Sequence, residues 1–455
     1  MTDRQQQIIR RVDEQRTQIL EAERWLWAHP QTGYTEWEAN DYLARRFEQL
    51  GYALVRAGNI PGFYGDLDTG RPGPTLCIMA ELDALDIATH PESINGMAHC
   101  CGHHAQCAAL LGIAGALAKP GALDGLWGRI RLMTVPAEEM IQLTFREELR
   151  RQGIIRYMGG KTEFMSRGFF DGVDIAMIAH GAVRTDKDFI GRLGHNGCIA
   201  KTIRYKGRAA HAGGYPHQGI NAQYAATLGL QACNALRETF QEQDYIRFHP
   251  VMQGANCAVN IIPDRMCMET FVRGRTIEAI KRENRKLNRA LTGAALAMGA
   301  GVEICDRPGY FPEVSHRPLM QLIEQCCVQL CGADRVDFDY QLWSAGSSDF
   351  GDLTAVMPGV QFYACGAVGT AHGADYSVAD PERLCVNSAK AQLLVAEELL
   401  SRQAVRAKEI MDSYTPLYPT IADFLRDVDS LVLDKDAVVY DEQGNAVVDY
   451  QNCGL

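Results

Sequence analysis

Apolar residues recur at helical steps from residue 3 to about 51: Ile8, Ile9, Val12, Ile19 and Leu20, then Tyr42, Leu43, Phe47 and Leu50. The stretch "AHPQTGYTE" breaks that pattern at Pro30 and Gly33. Beyond the turn "DTGRPGP" (68–74) the rhythm becomes one of short apolar runs ending in polar residues. "TLCIMAELDAL" ends on carboxylates, and "RIRLMTV" (129–135) runs into "PAEE". "DIAMIAH" (174–180) closes on His180, and "VQFYAC" (360–365) leads into a glycine-rich loop with His372. Helical patterns such as "QCAALLGIAGALAK" lie between them. Strands alternating with helices predict an α/β fold with a mixed, mostly parallel sheet and flanking helices. Ligands and chemistry in such sheets gather beyond the carboxyl ends of the strands, where these four polar segments fall.

From about Leu193 to Pro308 the pattern differs. "CIAKTIRYKG" reads as a strand, "GINAQYAATLGLQACNAL" as a helix, and "ANCAVNIIP" and "RMCMETFVRG" as two strands around Pro263-Asp264. A long helix, "TIEAIKRENRKLNRALTGAALAMGA", and a last strand, "VEIC", follow. The order β-α-β-β-α-β is that of a ferredoxin-like α+β sandwich. The expected organisation is therefore a first catalytic part at 1–192, an inserted lid at 193–308, and a second catalytic part with a C-terminal extension at 309–455. The tail "DKDAVVYDEQGNAVVDYQNCGL" receives no chemistry.

Composition narrows the function classes. A net charge of −11 disfavours nucleic-acid binding, which needs a basic face. There is no G-x-x-x-x-G-K-[ST] motif for phosphates. No apolar run approaches the roughly 18 residues that span a bilayer, and "MTDRQQQIIRRVDEQR" lacks a signal-peptide core. Fifteen cysteines, many inside apolar stretches, read as reduced, buried, small hydrophobes with one or two recruited as ligands. The expected location is the cytoplasm.

"GMAHCCGHHAQCAALLG" (96–112) concentrates His99, Cys100, Cys101, His103, His104 and Cys107. A structural zinc knuckle would show CxxC-like ligand pairs, and this chain has none. Cys101-Gly102-His103 reaches one metal cluster if the backbone is extended there. Further ligands would then come from other strand ends: Glu138 or Glu139, His180 and His372. Taken singly, a buried histidine is ordinary core, "PAEE" is a helix N-terminus, and His99, Cys100, His104 and Cys107 either pack in the core or support the ligands from behind. Jointly they favour a catalytic metal site of thiolate, carboxylate and imidazole, suited to Mn²⁺ or Zn²⁺, one or two per chain.

These segments resemble the M20 family of metallopeptidases and amidohydrolases, in particular its branch of aminobenzoyl-glutamate, N-acyl-amino-acid and auxin-conjugate hydrolases. The resemblance runs over about residues 15–400: "WAHPQTGYTEWEA", "AELDAL", "HCCGHH", "VPAEE", "GRAAHAGGYPHQGINA", "NIIPD", "FVRG", "GSSDFGDL" and "AHGADY" occur in the family's order. It implies Cys101, His103, Glu139, His180 and His372 as metal ligands. It implies Glu138 as the general base toward an attacking water and Asp83 as the residue orienting a ligand. His211 would stabilise the oxyanion, reaching across a homodimer formed through the lid. Asn260 and Arg273 would hold a substrate carboxylate, with Ser347 a further substrate contact. Two departures leave metal count and identity open: His104 stands where relatives carry Asp or Asn, and Glu81 where many carry Asp or His. "MIQLTFREELRRQGIIRYM" (140–158) is longer and more charged than expected, and either lines the pocket or packs on the surface.

The reading is a metal-dependent hydrolase of a C–N bond in a small carboxylate-bearing substrate, such as an N-acyl or aminobenzoyl amino acid. One rival releases ammonia from an amino-aromatic compound at the same metals. Another, from a different class, is a non-catalytic metal- or ligand-binding homologue.

Overall fold

The computed structural model describes residues 1–254 and 257–449 and divides the chain into two compact units. Unit 1 comprises residues 1–194, 313–343 and 349–421; unit 2 comprises 195–312, 344–348 and the chain from 422 onward.

Unit 1 is built on a ten-stranded sheet. At its centre Arg129–Val135, Thr75–Glu81, Ile175–Val183 and Gly359–Val368 run parallel as neighbours in that order. Antiparallel strands, including Phe63–Asp68 on one side and Phe189–His195 on the other, flank this centre. Thr75–Glu81 is buried at every position, as a near-continuous apolar run in a parallel sheet should be. The helix His103–Leu117 is buried along its whole length and packs on that strand and on the helices Arg16–Trp27 and Ser388–Leu400. The four apolar runs singled out in the sequence are these four central strands. Their carboxyl ends carry Glu81 and Asp83, Glu138 and Glu139, His180, and the loop to His372.

Unit 2 follows the β-α-β-β-α-β order. Gly197–Lys206 lies between Arg265–Gly274 and Gly301–Pro308, all antiparallel, with the helices Ala222–Ala235 and Ile277–Met298 between strands in sequence. Among its described residues, "ANCAVNIIP" does not form the expected strand. Ala255 and Asn256 lie outside the described residues, and a turn at Val259 and Asn260 leaves Val259 fully exposed. The segment instead hydrogen bonds to a neighbouring loop, with Ala212 N donating to Asn260 O and Ile262 N to Ala210 O, both at 2.9 Å. The strand partners of Arg265–Gly274 on that side are Arg247–Phe248 and Val251–Gln253. The C-terminal tail also takes part: Leu433–Tyr440 pairs antiparallel with Gly301–Pro308, and Ala446–Val448 pairs with it in turn.

Candidate metal centre

Cys101 and His103 are brought together by a turn rather than by extended backbone. Gly102 adopts φ 94° and ψ 9°, and His103 is already the first residue of its helix. That left-handed conformation favours glycine, and a side chain there would press on the Tyr376 hydroxyl and the Gly181 backbone. His372 also has a positive φ, 62°, and its N–H donates to Cys100 O at 3.0 Å. A left-handed non-glycine residue persists only where its surroundings dictate it, and such residues cluster at functional sites.

Each imidazole of the cluster presents Nε2. His103 Nδ1 donates to Asp83 O at 2.8 Å and lies 3.2 Å from Asp83 Oδ1. His180 Nδ1 donates to Gly181 O at 2.8 Å. These bonds place a proton on Nδ1 of both rings. Burial lowers the His103 pKa, but the charges of Cys101 and Glu81 and the bond to Asp83 outweigh it and hold it well above the ordinary value, so taking a cation at its Nε2 releases a proton. His180 Nε2 is 3.3 Å from Cys101 Sγ. His372 Nε2 is 3.4 Å from the same sulfur and 2.9 Å from Glu139 Oε1. Cys101 therefore belongs to two groups of closely spaced donors, one with His103 and His180 and one with Glu139 and His372. Two donors about 2.0–2.3 Å from one tetrahedral ion stand roughly 3.3–3.7 Å apart, so the spacing fits a cation on either side of the sulfur. His103 Nε2, sealed from solvent and facing Glu81 Oε2 at 3.3 Å, fits a ligand role as well.

Glu138 is nearly buried, with Oε2 at 3.9 Å from His103 Nε2. Burial, then the charges of Glu81, Glu139 and Asp349, push its carboxyl well above the usual range. Burial acts in the same direction on Glu139, but the hydrogen bond and charge of His372 outweigh it and hold that carboxyl low. Adjacent carboxyls pushed apart in this way are suited to separate acid–base and ligand roles. Burial, reinforced by His103, lowers His180 to about 4, which keeps its imidazole neutral. Burial pushes the Cys101 thiol well up, so taking a cation there releases a proton.

Sequence reasoning missed the cation beneath this cluster. Lys161 is fully enclosed and its ammonium bonds Glu81 Oε1 at 2.5 Å and Asp349 Oδ1. Its backbone N–H donates to Asp349 Oδ2 at 3.0 Å. Glu81, Glu138 and Asp349 lie close enough together to form a carboxylate triad, and Lys161 is the ammonium set among them. The signal available in the sequence was the surplus of carboxylates at neighbouring strand ends, which demands a buried cation. Glu81 also accepts from Gln106 Nε2 at 2.9 Å, and Cys107 Sγ donates to Glu81 O at 3.0 Å. His99, Cys100, His104 and Cys107 are buried, with His104 3.4 Å from Glu23.

His211, Asn260, Arg273 and Ser347 belong to unit 2. His211 is exposed, and its Nδ1 accepts from Gly213 N at 3.2 Å and Gly214 N at 3.0 Å. The proton is thereby placed on Nε2, which faces outward as a donor. Asn260 is exposed in its turn. Arg273 Nη1 reaches Ser347 Oγ at 3.4 Å, and no carboxylate pairs with that guanidinium among the described residues.

Comparison with known proteins follows the same lines. The chain is 25% identical to the Xaa-Arg dipeptidase of Mus musculus over 369 residues, 78% of each chain. It is 25% identical to the N-acyl-L-amino acid amidohydrolase of Geobacillus stearothermophilus over 327 residues, 68% of this chain and 81% of that protein. Its fold matches a dinuclear metal-binding M20 peptidase from Bacillus subtilis with a TM-score of 0.61 at 19% identity, covering 86% of this chain and 99% of that one. The sequence profile of peptidase family M20/M25/M40 matches residues 63–398, so the chain belongs to that family and is an enzyme acting on amide bonds.

Proposed function

We propose that the enzyme hydrolyses the amide bond of a small substrate with a free carboxylate, an N-acyl or aminobenzoyl amino acid, with two divalent cations bound side by side. The observation that carries this reading is Cys101 Sγ, shared by two donor groups. Cys101, His103 and His180 would hold one ion; Cys101, Glu139 and His372 would hold the other. The mixed thiolate, carboxylate and imidazole set suits Mn²⁺ or Zn²⁺. Bound there, the ions supply Lewis acidity toward the scissile carbonyl and the attacking water.

Glu138 is the proton carrier. Its raised pKa equips it to take a proton from water and return it to the leaving amine. Asp83 orients His103 through Nδ1 and accepts from Glu139 N at 2.8 Å, so it steadies one ligand from each group. His211 Nε2–H serves the oxyanion, in the site of a second copy of the chain. Exposed Tyr215 and Ile261 beside it, with Tyr224, Leu228 and Val259, support a homodimer through unit 2. Arg273, whose guanidinium forks suit a carboxylate, holds the substrate together with Asn260 and Ser347. The free thiols of the described cysteines support a reducing, cytoplasmic setting.

The test is elemental mass spectrometry on protein purified without chelator, followed by a screen of N-acyl amino acids, p-aminobenzoyl-glutamate and dipeptides ending in arginine. About two equivalents of Mn or Zn and release of an amino acid are expected. No metal retained after incubation with Mn²⁺, Zn²⁺ or Co²⁺, or no amide cleaved by the loaded protein, would overturn the reading.

A further inference from the structure

We propose that Arg146, carried by the segment at 140–158, is a positioning residue that clamps the peptide units on both sides of Glu138. The proposal rests on the amide-hydrolase reading for the role of Glu138, while the clamp itself can be tested without it.

Arg146 sits on the helix Leu143–Arg151 and is its one buried residue, 1% exposed. A buried guanidinium is ordinarily met by a carboxylate. Among the described residues this one has no ion pair, and its donors go to backbone carbonyls. Nη1 donates to Met158 O at 2.6 Å and to Ala137 O at 3.4 Å, and Nη2 donates to Glu139 O. Two of these three carbonyls flank Glu138. The amides of the same two residues are held from other segments: Ala137 N donates to Glu36 Oε1 and Glu139 N to Asp83 Oδ2, both at 2.8 Å. Each backbone hydrogen-bonding group of Ala137 and Glu139 thus meets an ionisable side chain, and the two carbonyls also accept from Gly160 N at 3.3 Å and Ile141 N at 2.9 Å.

The loop needs this hold. Ala137 has φ 58°, a left-handed conformation that an L side chain adopts only when its surroundings over-determine it. The resulting turn aims Glu138 and Glu139 into the centre from the end of Arg129–Val135. The opening motif "AHPQTGYTE" completes the enclosure. A side chain at Gly33 would collide with Arg146 Nη2 and with Ala137. Tyr34 lies with its ring centroid 5.5 Å from Arg146 Cζ, and its hydroxyl donates to Tyr157 O at 2.9 Å. The segment therefore does more than cover a surface. It delivers a five-donor planar cation to a loop whose carbonyls converge, a task for which the guanidinium is suited and an ammonium is not.

The experiment is hydrogen exchange by mass spectrometry on Arg146→Ala and Arg146→Lys, beside steady-state kinetics on whichever substrate the screen identifies. Exchange in peptides spanning 136–141 should rise at least about tenfold in both variants, while peptides of Thr75–Glu81 keep wild-type protection. The kcat should fall about 10–100-fold with KM within about threefold, because a misplaced base costs the chemical step rather than binding. Non-denaturing guanidinium should restore part of the Arg146→Ala rate, and equimolar NaCl should not. Wild-type exchange at 136–141 in both variants, or unchanged kcat, would overturn the proposal. If Arg146→Ala loses protection throughout, Arg146→Lys, which keeps the charge but not the fork, decides by the same two readouts. If the wild-type enzyme cleaves no amide, the functional reading fails, and exchange at 136–141 still decides the clamp.

Discussion

Replacing Lys161 by methionine tests the electrostatics beneath the metal centre. The substitution keeps length and removes the charge from a site where Lys161, Glu81 and Asp349 have no solvent exposure. Removing one partner of a buried ion pair strands the other, at a cost of about 3–5 kcal/mol. A second route gives a similar figure. Burial already pushes Asp349 up to about 6 despite the lysine beside it. Without Lys161 it goes higher and stays protonated at neutral pH. Holding a proton at pH 7 on a carboxyl whose unfolded pKa is about 3.9 costs about 4 kcal/mol. The sign with pH follows: above pH 5 the unfolded carboxyl carries no proton and the native variant carries one. The variant therefore loses about 1.4 kcal/mol of stability per pH unit as pH rises. Wild type shares that loss only until its own Asp349 ionises, at about 6. The penalty relative to wild type is therefore smallest between about pH 5 and 6, where both native forms hold the proton, and grows above that window.

All five tryptophans lie in unit 1, so urea unfolding followed by tryptophan fluorescence reports on the unit that holds this network. The Lys161→Met midpoint should fall at pH 7.5 and recover partly at pH 5.5. Adding Asp349→Asn should cost less than the sum of the two single changes, since contacting residues couple by about 0.5–3 kcal/mol. An unchanged midpoint at pH 7.5, or additive effects in the double variant, would refute the buried-cation argument.

Three further outcomes follow from the geometry. Glu138→Gln should abolish turnover while leaving metal content by elemental mass spectrometry nearly unchanged, because Gln cannot carry the proton and Glu138 is in neither Cys101 group. Cys101→Ala should lower metal content toward zero rather than by half, because its sulfur serves both groups; retention of one full equivalent would contradict the shared-ligand geometry. Truncation after Ser430 should leave Gly301–Pro308 an open sheet edge and expose the surface covered by Ala437 and Val438, so gel filtration should show aggregation with metal content intact.

The central strands were legible because burial on both faces writes a continuous apolar run, and polar residues at its end then stand out. Glu81, Glu138, Glu139 and His180 were visible for that reason. His372 was visible through the loop its strand leads into. Arg146 and Lys161 write no such pattern. Arg146 is surrounded in sequence by Glu147, Glu148, Arg150 and Arg151, so it reads as part of a solvated helix face. Its burial is set by carbonyls at 137, 139 and 158. Lys161 is fixed by Glu81 and Asp349, 80 and 188 residues away. The tail was missed for a similar reason: "DKDAVVY" alternates weakly, and only the unpaired edge at Gly301–Pro308 makes it a strand.

The two hidden cations share a physical logic. A site that gathers Glu36, Glu81, Asp83, Glu138, Glu139 and Asp349 around three imidazoles cannot ionise every acid: burial holds Glu36 and Glu138 well above the usual range, while neighbouring cations and hydrogen bonds hold Glu81, Asp83 and Glu139 low. Catalysis asks two of these carboxyls, Glu138 and Glu139, to differ in proton affinity while standing next to each other in the chain. Lys161 meets the negative charge on the Glu81 and Asp349 side. Arg146 spends its donors on the backbone. The division is sensible, because an ammonium is a point charge that can sit among carboxylates, whereas a guanidinium spreads its charge over a fork that can hold a strained loop. Exchanging the two roles should therefore fail: Lys161→Arg has no room for its fork between Glu81 and Asp349, and Arg146→Lys has too few directed donors for its carbonyls.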